Sequence, residues 1–214
     1  MVIIMLQGRD LLKKFYAVAL LILIFFLEGC GSDKNTELLF KTPSKPEVKA
    51  SEVDAKLKEL SGILSGGYDD MKELKYYYCY VPYDEDTFDE DTRVMVHPYV
   101  VVDKYYRPTL IEHLQYFGSY VIKFDTLYIK SANQVSKFHY KNVSVVSYKS
   151  EGYTGIMSDE VYYALKSAIE SGYVRVRMEG KAGREEKELS EKEIAGIKAV
   201  FDIYEYLNQI KVVP

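Results

Sequence analysis

Residues 158–210 read SDEVYYALKSAIESGYVRVRMEGKAGREEKELSEKEIAGIKAVFDIYEYLNQI. They decide the fold, because two helical periods flank one sharp alternation. Ser158 stands where an N-cap belongs, and acids follow it. Val161, Ala164, Leu165, Ala168 and Ile169 recur at helical spacing through Ser171, and Gly172 stops the run. Tyr173 to Glu179 then alternates: Val174, Val176 and Met178 fall on one face, Arg175, Arg177 and Glu179 on the other. Gly180 to Arg184 reads as a turn. Ser190 with Glu193 makes a capping box, and the helix it opens runs to about Ile210. Ile194, Ile197, Val200, Phe201, Tyr204 and Leu207 are its apolar stripe.

Upstream of this helix–strand–helix unit the texture is β. Leu74 to Val81, Arg93 to Val102, Thr109 to Tyr116 and Tyr120 to Ile129 each read as a strand. Pro98 marks an edge or a bulge, and the phase change between Phe124 and Leu127 marks another bulge. Val135 to Tyr140 and Val143 to Tyr148 read as a hairpin around Lys141-Asn142. A run of strands followed by α-β-α lacks the regular alternation of a doubly wound fold. The expectation is class α+β: a mostly antiparallel sheet or open sandwich of about six to seven strands, with two C-terminal helices packed on it. Residues 68–214 are long enough to fold as a single domain without disulfides. Residues 51–67 read as an amphipathic helix capped by Ser51, with Val53, Leu57, Leu60 and Leu64 on one face and Gly66-Gly67 at its end. So short a helix is marginal in water, so it is expected to dock on the domain. Residues 30–50 are polar, carry Pro43 and Pro46, and read as a flexible tether.

The chain has 214 residues and a formal charge of -4. Residues 1–29 carry three basic and two acidic groups, so the remainder holds about -5, thinly spread. That excludes the dense basic face a nucleic acid requires. Two cysteines are too few for a disulfide framework or a cysteine zinc site. No P-loop, dinucleotide fingerprint or nucleophile elbow is present. No cofactor is implied.

The N-terminus carries the clearest signal. Phe15 to Leu27 is an uncharged apolar run of 13 residues, preceded by Lys13-Lys14. As a helix it spans roughly 20 Å, against a hydrocarbon core of about 30 Å. That is the layout of an export signal rather than a membrane span. Leu27-Glu28-Gly29-Cys30 follows and resembles the lipobox of bacterial membrane lipoproteins. The resemblance implies recognition of Leu27 and Gly29 by a dedicated signal peptidase. It also implies a diacylglyceryl group on the Cys30 sulfur and a mature chain that starts at Cys30. Glu28 departs from the family pattern, which has a small or β-branched residue there. Gly31 rather than Asp after the cysteine implies the outer membrane in a two-membrane bacterium, and otherwise the outer face of the cell membrane. An ordinary cleavage site beside an incidental cysteine, or an uncleaved anchor, are the alternatives, and Met5 is an alternative start. The stretch Ser171 to Leu207, with its strand V-R-x-R-x-x-G at Val174–Gly180, is similar to a module that ends several uncharacterised exported bacterial proteins.

Tyrosine is the compositional anomaly: 21 Tyr and no Trp. In the strand at Leu74–Val81, Tyr76, Tyr78 and Tyr80 share one face, and Tyr77 and Cys79 the other. With Tyr105 and Tyr106 they are the candidate partner-binding residues, because tyrosine makes contact area at low entropy cost. Cys79 reads as a buried thiol, or alternatively as a dimer-forming disulfide. The acidic run Asp84 to Asp91 fails the EF-hand pattern, having Asp89 where Gly is needed and Met95 where Glu is needed. His97, His113 and His139 are isolated, so no metal site is implied. Two functions follow. One is a lipid-anchored envelope protein with a non-enzymatic binding or scaffolding domain, held to the membrane through Cys30 and engaging an envelope protein. The other is an envelope hydrolase whose dispersed site uses one of the three histidines with a carboxylate.

Overall fold

A computed structural model of the chain describes residues 44–78 and 93–214. In order these form β1 (Glu47–Lys49), α1 (Ala50–Leu60), a 3-10 turn (Ser61–Ile63), β2 (Ser65–Asp69), β3 (Leu74–Tyr78), β4 (Arg93–Val96), β5 (Tyr99–Val102) and β6 (Pro108–Phe117). Then follow β7 (Phe124–Lys130), β8 (Val135–His139), β9 (Ser144–Ser147), β10 (Ser150–Ile156), α2 (Asp159–Glu170), β11 (Arg175–Gly180), β12 (Gly183–Glu188), α3 (Glu191–Gln209) and β13 (Lys211–Val213). The class is α+β. A seven-stranded antiparallel sheet runs β2-β3-β5-β6-β10-β9, with β4 also paired to β6. A four-stranded antiparallel sheet runs β12-β11-β7-β8, and β1 pairs in parallel with β13.

β6 organises the large sheet. Leu110, Glu112, Leu114 and Tyr116 point inward and are buried, while Ile111, His113, Gln115 and Phe117 between them stay half-exposed. β4 and β5 lie along one edge of β6 in a common register, with Val96 opposite Leu114 and Tyr99 opposite Ile111. Arg93 to Val102 is therefore one strand in register. It is interrupted at Pro98, which cannot donate to the ladder and falls opposite Glu112. β10 lies on the other edge of β6 and sets Gly155 against Glu112.

Helices α1 and α3 cover the inner face. Val53 and Leu57 of α1, and Ile197, Val200, Phe201, Ile203 and Leu207 of α3, join Val100, Val102 and Leu110 in the core. Two of the three helix starts are as the local chemistry requires. Ser158 Oγ accepts from the Val161 N–H, and Ser190 and Glu193 complete a capping box. Gly172 ends the α2 segment at φ 73°, a left-handed conformation that favours glycine.

Five expectations are corrected. The first helix starts at Ala50 from an extended Lys49 with no side-chain cap, so Ser51 is not its N-cap, and Gly66-Gly67 lie inside β2. The end of the supposed tether is ordered, because Glu47–Lys49 pair with Lys211–Val213 and Glu47 meets Lys211 at 2.7 Å. The strand expected from Tyr120 begins only at Phe124, after a left-handed turn at Lys123, φ 54°; the bulge expected between Phe124 and Leu127 is present, where the register against β11 skips Asp125. β8 and β9 do not pair with each other. β8 joins β7 and β9 joins β10, and the chain changes sheet through Asn142 at φ 69°. Finally, Gly180 to Arg184 is a hairpin into a further strand, β12, with Gly180 opposite Gly183. A Cβ on Gly180 would fall 2.0 Å from the Lys123 carbonyl oxygen, so the hairpin needs glycine there.

Candidate functional site

Three places bear on function, and the tyrosines come first. In β3, Lys75 and Tyr77 face the helices; the Lys75 ammonium lies 2.9 Å from Asp54 of α1. Tyr76 and Tyr78 therefore face the opposite way, as the alternation requires. Cross-strand register then builds a row: Tyr78 sits opposite Tyr99, Tyr99 opposite Ile111, and Ile111 opposite Ile156. Four large apolar side chains thus line up across β3, β5, β6 and β10 on the face that α1 and α3 leave open. Tyr78 is 39% exposed and Ile156 73%. Tyr76 stands beside the row, opposite Val101. Tyr105 and Tyr106 do not join it. They lie in the β5–β6 turn, beyond the far end of β3 from Tyr78. Tyr105 is 63% exposed between Lys104 and Arg107, both within cation–π distance of its ring. Tyr106, at φ 61°, turns back to donate its hydroxyl to Asp54 at 3.0 Å and packs on the core, so its role is structural. Tyr80 and Cys79 lie outside the described residues, as do the acidic run Asp84 to Asp91 and the lipobox residues Leu27, Gly29 and Cys30.

The outer face of the small sheet is a useful contrast. There Arg177 packs 4.4 Å from the Tyr128 ring centroid and Lys137 5.5 Å from it, and Arg175 pairs with Glu186 and Glu188. Cross-strand pairs of opposite charge keep that face hydrated. β12 is an edge strand made almost wholly of charged residues, which discourages further pairing.

The histidines are dispersed. His113 Nδ1 lies 2.8 Å from Thr154 Oγ1, and His139 Nδ1 lies 3.2 Å from Thr126 Oγ1, whose hydroxyl donates to Asp125. His97 Nε2 is sealed from solvent without a hydrogen bond, and burial pulls its pKa down to about 4. Among the described residues no hydrogen bond joins a histidine to a carboxylate, and no group of three potential ligands could hold a metal ion. The acid–base pair a hydrolase needs is therefore not assembled around the described histidines.

The third place is one the sequence reading passed over. Glu112 occupies an inward position of β6 between Leu110 and Leu114, and is 2% exposed. The Tyr140 hydroxyl, just past β8, donates to its Oε1 at 2.5 Å. Among the described residues no other hydrogen bond reaches the carboxyl group. Burial pushes the Glu112 pKa up to about 7, with the Tyr140 hydrogen bond working against the shift. Burial and the neighbouring carboxyl keep the Tyr140 hydroxyl protonated. The two groups line a cavity of about 490 Å³ between the sheets and the start of α2, shared with Phe138, Tyr153 and Ser158. The rings of Tyr140 and Tyr153 meet edge to face at 4.8 Å. Tyr153 folds over Gly155, where a Cβ would lie 2.3 Å from the tyrosine hydroxyl. A glutamate at an inward strand position was the available signal for this site.

A second buried carboxylate is structural. Glu151 Oε1 accepts the N–H groups of Ile122 at 3.0 Å and Phe124 at 3.3 Å, which ties the start of β7 to β10 and so one sheet to the other.

Comparison with protein-family models, curated proteins and solved structures found no match. No helix among the described residues is long and apolar enough to cross a membrane.

Proposed function

We propose that the chain is a lipid-anchored cell-envelope protein. Its folded domain is a non-enzymatic binding or scaffolding module, and the open face of the seven-stranded sheet is the surface that engages an envelope protein. The anchor reading rests on the apolar run Phe15–Leu27 and on the resemblance of Leu27-Glu28-Gly29-Cys30 to a lipobox. Two or more acyl chains on one sulfur make attachment stable where a single chain does not. The mature chain would then sit at a membrane surface, in the outer membrane of a two-membrane bacterium, without burying any of its strands in lipid.

The observation that carries the binding reading is the row Tyr78–Tyr99–Ile111–Ile156. Among the described residues, the face of the large sheet away from α1 and α3 carries contiguous aromatic and aliphatic side chains, whereas the outer face of the small sheet is lined by cross-strand charges. Grouped apolar residues on a surface mark an interaction site, and tyrosine supplies the anchors typical of one. The hydrolase reading draws no comparable support, because the histidines are paired with threonines or buried.

Site-specific photo-crosslinking in cells tests this. A crosslinker at position 78 or 156 should yield a discrete protein adduct, and one at Arg177 on the charged sheet should not. Equal labelling from both faces, or none from the apolar row, would refute the assignment.

A further inference from the structure

Glu112 points to the other side of the sheet from the tyrosine row, and of that row the cavity meets Ile156. From its geometry we infer that this cavity is a binding site for a small organic amine, whose ammonium group pairs with the Glu112 carboxylate. An ionised carboxylate offers several acceptor positions and is costly to bury unless they are filled. Glu112 receives one hydrogen bond, from Tyr140 to Oε1, and among the described residues its other oxygen receives none. The neighbouring strands cannot supply more: Pro98 opposite it has no N–H, and Gly155 has no side chain. What adjoins it instead is open space of about 490 Å³, within the range of small-molecule sites.

The walls select the ligand. Phe138, Tyr140 and Tyr153 present aromatic rings, which attract a cation by their quadrupole as well as by apolar contact. An ammonium is the one common group that satisfies an acceptor-only carboxylate and an aromatic wall together. The charged groups around the cavity are Glu112 from β6, Lys137, His139 and Lys141 from β8 and the turn after it, and Glu160 from α2. Lys137 is drawn onto the Tyr128 ring. Lys141 repels a cation and Glu160 attracts one, so the buried carboxylate decides the sign. The elevated pKa of Glu112 is the behaviour expected of a carboxylate that lacks its counter-ion.

The test is equilibrium dialysis of the full chain in nonionic detergent at pH 8, with radiolabelled n-butylamine as probe and n-butyrate and n-butanol as matched controls. The amine should bind saturably at one site in the millimolar range or below, the affinity that so small a ligand reaches. Butyrate and butanol should bind at least about tenfold more weakly. Glu112→Gln, which keeps the shape and the Tyr140 hydrogen bond, should weaken the amine by about tenfold or more. Lys141→Glu, at an exposed residue lining the cavity with no ion pair among the described residues, should tighten it a few-fold, so the two variants move in opposite directions. No saturable amine binding, equal binding of alcohol or acid, or an unchanged affinity in Glu112→Gln would each overturn the inference.

Discussion

Glu112→Gln is the sharpest probe of the interior, because it should make the folded domain more stable at alkaline pH. The folded-state pKa is about 7 and the ordinary value 4.5. Below pH 4.5 the carboxyl is protonated in both states and contributes no pH dependence. As pH rises from 4.5 to 7 the unfolded chain loses its proton while the folded chain keeps it. The unfolded state is thereby favoured by about 1.4 kcal/mol per pH unit. Above pH 7 the cost levels off at about 3 kcal/mol. That is a large share of the roughly 5–15 kcal/mol that holds a domain together. Glutamine never ionises and can still accept from Tyr140. The difference between variant and wild type should therefore grow by about 3 kcal/mol in favour of the variant between pH 4.5 and pH 8. Urea unfolding followed by far-ultraviolet circular dichroism across that range reads it directly, as a midpoint that moves with little change in slope. A difference that does not vary with pH would show that Glu112 is ionised in the fold or exposed, and would refute the burial argument.

His97 runs the opposite way: its folded pKa of about 4 lies below the ordinary 6.5, so stability is lost as pH falls from 6.5 to 4. His97→Gln should remove a loss of about 3 kcal/mol over that interval, measured by the same urea series. Because the two groups oppose each other, Glu112→Gln should be more acid-labile than wild type relative to its own maximum, and His97→Gln less so. Ser190→Ala breaks the capping box of α3 and should cost about 1–2 kcal/mol, visible as a lowered urea midpoint. Gly180→Ala should destabilise the β11–β12 hairpin, because the new methyl meets the Lys123 carbonyl; hydrogen exchange at Met178 and Glu185 would report faster opening there.

Local chemistry was legible in the sequence and long-range pairing was not. Ser158, Gly172 and the Ser190–Glu193 box act within a few residues, so their roles could be read from the string alone. The opposed faces of Tyr76/Tyr78 and Tyr77 follow from strand alternation in the same way. The partners of β8 and β9 do not: Val135 to Tyr140 and Val143 to Tyr148 look like two arms of a hairpin, yet each pairs with a different sheet. β12 was hidden because Gly183–Glu188 has no apolar alternation and holds its place by pairing with β11 and by ion pairs such as Arg175 with Glu186. Tyr105 and Tyr106 read as a matched pair, but a positive φ at Tyr106 sends one ring to solvent and the other to the core. The Tyr78–Tyr99–Ile111–Ile156 row needed the register of four strands, which no single segment encodes. Glu112 was visible as a charge at an inward position, but only the arrival of Tyr140 and the cavity beside the carboxyl group give it meaning.

The proposed anchor meets its most direct test in the intact mass of the mature chain, compared between wild type and Cys30→Ala after growth with labelled palmitate. The account predicts a wild-type product that begins at Cys30, carries acyl mass on that residue and sediments with membranes, and a variant that incorporates no label and leaves the membrane fraction. A wild-type chain that retains Met1 or Met5, or that takes up no palmitate at Cys30, would contradict it.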